Sequence, residues 1–395
     1  MRTIPSFAAR AVVFVCLLCP LVVLSVDRPL SASEPIRIGA VLTVTGWGAF
    51  MGTPTKEAFE ALTEDINKKG GVLGRQLELI VEDDKSNPTN AVIAATKLVR
   101  DRNVAILTGP TITDSGMAMI PVCEQEKTPF LVIGPVVSTL KKWTFIIGPG
   151  DTRSAQHFLE YAVKNMGGKR LALIHGTDNY GATAARVLSK EISRYPEASI
   201  VIEEKFELSD TNMVPQMTKI KAANPDVLMI YGAGTTGSVI AKNYKQLGMT
   251  TPVLGSSGMS IPEFAKMSGS IAEEHKWIML GSNILAGEKY PESHPFRKVL
   301  YDPLKQALKR KFGQSKEPGV FHAGPFDGMR ILVEALKQAG TDDRAALRDA
   351  LEKVRIPDGF VGGFECTPED HQGAKKDPFI PLIIKNGEWF PKEEF

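Results

Sequence analysis

The sequence predicts an α/β protein of two lobes, each a doubly wound parallel sheet covered by helices. Three observations carry this. Strand-like and helix-like segments alternate along almost the whole chain after residue 34. The strand segments are short apolar runs, the form expected of strands buried on both faces. The pattern restarts after Gly148-Pro149-Gly150, which divides it into two runs.

The first run opens with Ile36–Leu42, a β-branched and apolar strand. A helix is predicted over Pro54–Lys69, where Ala58, Phe59, Leu62 and Ile66 recur at helical spacing and Gly70-Gly71 ends it. Strand Leu77–Val81 leads into Glu82-Asp83-Asp84. Asn87-Pro88 opens a helix to Arg100, with Val92, Ala95, Leu98 and Val99 on one face. Strand Val104–Leu107, helix Ser115–Lys127 and strand Phe130–Ile133 follow.

The second run predicts helices over Ser154–Met166, Gly181–Tyr195, Val214–Ala223 and Thr236–Leu247. Between them lie strands Leu171–Ile174, Ile200–Phe206, Val227–Tyr231 and Pro252–Leu254, with Trp277–Leu280 after them. Long helices fit Pro295–Phe312 and Gly319–Ala339, and a strand returns at Phe379–Lys385. The late helices fall outside the second run, so a chain return is expected to complete one lobe. In such sheets ligands bind at the carboxyl ends of strands, beside helix N-termini. The loops that matter are then 43–53, 108–115, 134–140, 175–181, 232–237 and 255–260.

The 395 residues suffice for two domains, and 43% hydrophobic with 23% charged residues is a globular composition. Residues 1–33 read as a secretory signal: Arg2 and Arg10, the apolar stretch Ala11–Val26 broken by Pro20, then Ser31-Ala32-Ser33. Cleavage is expected near Ser33 or Ser25. A retained anchor is the alternative, but a membrane span needs about 20 apolar residues. Leu18 before Cys19 argues against lipidation. Losing Arg2, Arg10 and Arg28 (three positive) with Asp27 (one negative) takes the net charge of +2 to zero. That balance offers no footprint for nucleic acid or an anionic membrane. Cys123 and Cys366 remain, either paired or as two separate buried thiols, and they do not read as a metal site.

Gly232-Ala233-Gly234-Thr235-Thr236-Gly237 matches G-x-G-x-x-G between a strand and a helix. The next strand ends in Gly255-Ser256-Ser257, with no acid for a ribose hydroxyl, which argues against a dinucleotide site. The loop still offers backbone N–H groups to a small anion or carbonyl. In Gly109–Gly116, the hydroxyls of Thr111 and Thr113 stand where helix N–H groups become free. This is donor chemistry for a carboxylate, although Thr113 or Asp114 could equally cap the helix. Tyr180 follows a strand and can stack on a ligand or pack on the surface. Trp47 and Phe50 lie in a glycine-rich loop, as pocket wall or hinge packing. Glu82-Asp83-Asp84 reads as a solvated strand end sooner than as a metal site. His175 sits at a cleft edge with no evident partner. No G-x-S-x-G, H-E-x-x-H, P-loop or Cys/His cluster occurs, so no catalytic residue, metal or cofactor is expected.

Ile36-Arg37-Ile38-Gly39, Ala58-x-x-Ala61, Asp65-Ile66-Asn67 and Gly70-Gly71-Val72-Leu73-Gly74-Arg75 resemble the opening of the branched-chain amino acid (leucine/isoleucine/valine) binding proteins. Glu82-Asp83-Asp84, Pro88, Lys97-Leu98-Val99, Tyr180-Gly181 and Gly324-x-x-Asp327-Gly328 extend the resemblance over nearly the whole chain after the leader. It implies a type I periplasmic binding fold with three crossovers, near 148–151, 280–284 and 354–360. The lobes would be 34–149 with 283–355, and 150–282 with 356–395. It implies a monomer in the periplasm that closes on a small ligand and docks on the permease subunits of an ABC importer. A ligand-sensing receptor partner is the alternative, and an exported enzyme a further one.

The resemblance also implies site positions. The carboxylate loop falls on Thr111, Ile112 and Thr113, and a neighbouring loop on Gly134, Pro135 and Val136, where the family has a threonine. Tyr180 is kept. A second tyrosine falls at Gly234, and the acid that holds the ligand's ammonium falls at Ser257; both are lost. A buried ammonium without a carboxylate costs several kcal/mol. Either another acid serves, with Asp114 the nearest, or the ligand has no amino group. Trp47, Phe50 and Gly234 would then suit an aromatic or aliphatic carboxylic acid.

Overall fold

A computed structural model describes residues 34–134, 136, 141–148, 150–374 and 377–392, with Met1 and Thr3. The expected signal, the anchor alternative, Cys16 and Cys19 lie outside the described residues. Among those described, no helix is long and apolar enough to cross a membrane.

The first run builds β1 (Ile36–Leu42), α1 (Ala49–Lys68), β2 (Leu77–Asp83), α2 (Pro88–Arg100), β3 (Ile106–Gly109), α3 (Thr113–Gln125), β4 (Phe130–Val132) and β5 (Thr144–Ile146). The five strands form one parallel sheet in the order β2-β1-β3-β4-β5. Apolar side chains fill both of its faces. Ile36, Ile38, Ala40 and Leu42 pack with α1, while Val41, Leu107, Phe130 and Val132 pack with α2 and α3. Residues that alternate along a strand point to opposite faces, so β-branched and apolar residues at both parities bury both.

The second run builds α4 (Gly150–Glu160), β6 (Arg170–Gly176), α5 (Asn179–Glu191), β7 (Ser199–Phe206), α6 (Val214–Ala222), β8 (Val227–Tyr231), α7 (Thr236–Gln246), β9 (Val253–Gly255), α8 (Pro262–Glu274) and β10 (Ile278–Ser282). The chain then forms α9 (Asp302–Phe312), α10 (Val320–Ala339) and α11 (Arg344–Leu351). A small ribbon, β11 (Arg355–Ile356) with β12 (Phe364–Glu365), precedes β13 (Phe379–Lys385) and β14 (Glu388–Pro391). The second sheet runs β14-β13-β10-β9-β8-β6-β7, parallel except for β13 and β14. Leu171 and Leu173 face α4 and α5; Ala172 and Ile174 face α6, α7 and α8.

The chain return expected from the late helices is present. Leu304 and Leu308 of α9, Leu332 and Leu336 of α10, and Leu347 and Leu351 of α11 share the core of the first sheet with α1. Phe360, Phe364 and Cys366 join the same core before the chain reaches β13 in the second sheet.

Some boundaries differ. The helix expected from Pro54 begins at Ala49 and carries Pro54 inside it, with the Thr55 hydroxyl donating to the Met51 carbonyl at 2.9 Å. Phe50 therefore sits in the first helical turn and not on a flexible loop. The helix expected over Pro295–Phe312 starts as a π turn, Arg297–Tyr301, and becomes α-helical only at Asp302-Pro303. Proline lacks the N–H that a regular ladder needs there. Helices α8 and α11 were not anticipated. Cys123 and Cys366 form no disulfide with each other and are fully buried, in cores on opposite faces of the first sheet.

Candidate functional site

Each sheet reverses its strand order once. In the first sheet the reversal lies between β1 and β3, and in the second between β6 and β8. Neighbouring loops part there, which opens a crevice beyond the carboxyl ends of the strands. The two crevices face one cavity of about 210 Å³.

The first-lobe wall is made of donors. Gly109 ends β3 at φ +108°, and a Cβ there would stand 2.2 Å from the Val41 carbonyl oxygen, so only glycine lets the chain turn over β1. Thr111 then accepts a hydrogen bond from the Thr43 N–H at 3.0 Å, which leaves its own proton to donate elsewhere. Ile112 is the N-cap of α3 and no side chain caps that helix. The first N–H groups of a helix lack internal partners, and the macrodipole adds partial positive charge there. The Thr113 hydroxyl is buried at 4% exposure, has no hydrogen-bond partner among the described residues and lines the cavity. The capping alternative for Thr113 and Asp114 is thus overturned.

Two acids brace this wall. Asp84 is fully buried and accepts from Thr43 Oγ1 at 3.0 Å, Ser115 Oγ at 2.6 Å and the Ser86 N–H at 2.8 Å. Asp83 accepts from the Val44 N–H at 2.9 Å and Thr45 Oγ1 at 2.6 Å. Partial burial works to raise the Asp83 pKa, but the hydrogen bonds from Thr45, Lys85 and Val44 outweigh it and hold the carboxyl below its ordinary value. Asp83 and Asp84 of the acidic run brace loop 43–48 and are not a solvated strand end, while Glu82 pairs with Lys97 of α2. Among the described residues no group of three or more His, Cys, Asp or Glu could hold a metal.

The second-lobe wall comes from the loops after β6, β8 and β9. The Tyr180 hydroxyl lies 3.4 Å from Ser257 Oγ, and its ring packs on Tyr231 at 4.8 Å between centroids. Gly234 N–H donates to the Gly258 carbonyl at 3.0 Å, and a Cβ on Gly258 would stand 2.5 Å from the Gly232 oxygen. The glycines of the G-x-G-x-x-G segment let two loops touch backbone to backbone. Asp178 also lines the cavity while capping α5 through the Gly181 N–H at 3.3 Å. Burial raises its pKa first, the nearby Asp114 charge adds to this, and the Gly181 N–H opposes it.

Trp47 and Met51 from the start of α1, Ile133, Val320 and Phe321 from α10, and Phe360 add apolar surface, and the hydroxyl residues Thr55, Ser154 and Ser282 complete the polar part of the lining. Sequence reasoning missed α10 and Phe360, because they reach the cleft from a part of the chain far from the strand-end loops. It also missed Asp178, which reads as an ordinary helix cap.

The expected residues divide clearly. Trp47, Thr111, Ile112, Thr113, Gly134, Tyr180 and Ser257 line the cavity. Phe50, Val136 and Gly234 are not among its described lining residues. Phe50 stands edge-on to Phe321 at 5.6 Å and covers Gly234, where a Cβ would come within 3.2 Å of its ring. Val136 is fully buried in the core beside Cys123. Pro135 lies outside the described residues. Asp114 turns away from the cavity and accepts a hydrogen bond from the Asn179 side chain on the opposite lobe. His175 is buried with both ring nitrogens engaged, Nδ1 at 2.8 Å from the Gly176 oxygen and Nε2 at 3.2 Å from Glu203.

Comparison with known proteins agrees with this architecture. A family model described as periplasmic binding protein matches residues 35–380. The chain is 26% identical over 343 residues to the Leu/Ile/Val-binding protein homolog 3 of Brucella melitensis, covering 84% of this chain and 87% of that protein. It is 24% identical to the leucine-, isoleucine-, valine-, threonine- and alanine-binding protein of Pseudomonas aeruginosa, covering 84% and 86%. An extracellular ligand-binding receptor from Rhodopseudomonas palustris HaA2 superposes with a TM-score of 0.81 at 27% identity, covering 91% of this chain and 99% of that one.

Proposed function

Because the chain belongs to the periplasmic binding protein family, among the branched-chain amino acid binding proteins, we propose that it captures a small carboxylate between its lobes and delivers it to the permease subunits of an ABC importer. In this reading the protein is exported to the periplasm and acts as a monomer. The lobes, 34–149 with 283–355 and 150–282 with 356–395, close on the ligand as hinged bodies.

One observation carries the ligand class. Among the described residues the buried Thr113 hydroxyl has no partner, and it stands at a helix N-terminus that no side chain caps. A buried donor without a partner costs about 1–3 kcal/mol, and a carboxylate there would satisfy it together with Thr111 and the free N–H groups. The ligand's body would lie against Trp47, Ile112 and Phe321, with Gly134 beneath it and Tyr180 and Ser257 opposite. A cavity of about 210 Å³ exceeds the ~150 Å³ that accepts benzene, so one ring or one branched aliphatic chain fits.

A thermal-shift screen tests this. Amino acids, aromatic acids and short aliphatic acids are compared with their primary amides. Stabilisation by at least one acid and not by its amide is expected. Equal stabilisation by acid and amide would remove the carboxylate from the reading.

A further inference from the structure

Asp178 is the only charged side chain among the described residues that line the cavity; no Lys, Arg or His is among them. The first-lobe wall offers donors, at Thr111, Thr113 and the start of α3. The second-lobe wall holds this acceptor, beside the hydroxyls of Tyr180 and Ser257. The cavity is therefore polarised from one lobe to the other.

Resting on the carboxylate reading above, we propose that Asp178 is a specificity-determining residue that selects acids carrying a second group able to donate a hydrogen bond, an ammonium or a hydroxyl. The carboxylate caps α5 at Oδ1 through the Gly181 N–H, and the donors around it are backbone N–H groups, so its negative charge has no cationic partner among the described residues that line the cavity. A ligand with a carboxylate alone brings a second negative charge into an apolar cavity that already holds one. A buried charge is tolerated when it is paired and hydrogen-bonded. A donor on the ligand supplies that pairing, and an ammonium restores neutrality as well. Burial and the neighbouring Asp114 charge already hold the Asp178 carboxyl above its ordinary value, so the site gains from any proton brought to it. The acid missing at Ser257 is thereby supplied from a different loop of the same lobe.

The test is isothermal titration of wild type, Asp178→Asn and Asp178→Ala with sets of acids that share a skeleton. One set is 4-methylpentanoate, its 2-amino form and its 2-hydroxy form; the other is benzoate with 4-hydroxybenzoate. Asparagine is as good an N-cap as aspartate, so the Asn variant keeps α5, and melting curves check that both variants fold. In at least one set, the donor-bearing acid should bind wild type at least tenfold more tightly than its donor-free twin. In Asp178→Asn and Asp178→Ala that gap should shrink below threefold, with the donor-free acid bound at least as tightly as by wild type. The amino and hydroxy arms show which donor is read. Equal binding of twins by wild type, or a gap that survives in both variants, overturns the inference while leaving the carboxylate reading in place. Failure of every acid to bind wild type removes the carboxylate reading, and this inference with it.

Discussion

Asn179, the first residue of α5, donates its side-chain N–H to Asp114 in the first turn of α3. One residue belongs to each lobe, so the bond spans the mouth of the cleft and exists only while the lobes are together. An open form must break it.

Asn179→Ala and Asp114→Ala are therefore predicted to weaken ligand binding without touching the ligand. The bond is exposed, which places its worth near the low end for charged acceptors, about 1 kcal/mol, or about fivefold in Kd. Titration gives the affinity, and small-angle scattering gives the share of open molecules. The double variant should be no weaker than either single one. Additive losses would mean that the two residues act separately.

Thr113→Val should separate binding from stability. The hydroxyl has no partner among the described residues, so its removal should leave the melting temperature without added ligand equal or higher. Carboxylate binding should weaken roughly ten- to hundredfold, the worth of one charge-assisted hydrogen bond at about 1.5–3 kcal/mol. A variant that melts early yet binds normally contradicts the assignment.

Gly234→Ala meets two obstacles. The backbone sits at φ +70°, which costs a non-glycine residue about 1 kcal/mol, and the new Cβ approaches the Phe50 ring across the cleft. Ligand binding should weaken. In a Phe50→Ala background the steric part should vanish, which gives a coupling of about 0.5–1 kcal/mol in a double-mutant cycle. No coupling would mean that Phe50 does not reach the second lobe.

Asp327 of α10 predicts a pH effect on stability. Burial pushes its carboxyl from 3.8 to about 7, against the opposing pull of the Val361 N–H and Arg330. The folded protein therefore holds a proton that the unfolded chain releases near pH 4. This favourable difference is full below about pH 4 and is lost as pH rises through about 7. Its ceiling is about 4 kcal/mol, at 1.36 kcal/mol per unit. Asp327→Asn keeps an oxygen for Val361 and cannot ionise. Its stability gain over wild type in urea unfolding should be larger at pH 7.5 than at pH 4.5. An equal gain at both values would refute the linkage.

Much of the fold was legible because apolar strands announce themselves. Val227–Tyr231 and Phe379–Lys385 are apolar runs with polar or turn residues beside them, and both have the bounds expected of them. Helix α8 was hidden because Ser268, Gly269 and Ser270 dilute its apolar spacing, although Pro262 and Glu263 mark its start. The site was half legible. Loops at strand ends converge by topology alone, which is why Thr111, Thr113, Tyr180 and Ser257 meet. Val320 and Phe321 reach the cavity through the tertiary packing of α10 on α1, and no local pattern encodes that. Asp114 instead accepts from Asn179 across the cleft, a pairing between distant loops that no local pattern encodes.

The two buried thiols have a practical consequence. Cys123 packs against α2 and α3, and Cys366 against α1 and α10, on the two sides of one sheet. Burial holds the Cys123 thiol well above its ordinary pKa, so it stays inert to alkylating reagents while the core is shut. Each becomes reactive only when its own side opens. Pulsed alkylation read by mass spectrometry would time the loosening of each face of the first sheet with no introduced label. The two core clusters of the second sheet contain no cysteine, so opening confined to them would pass unseen.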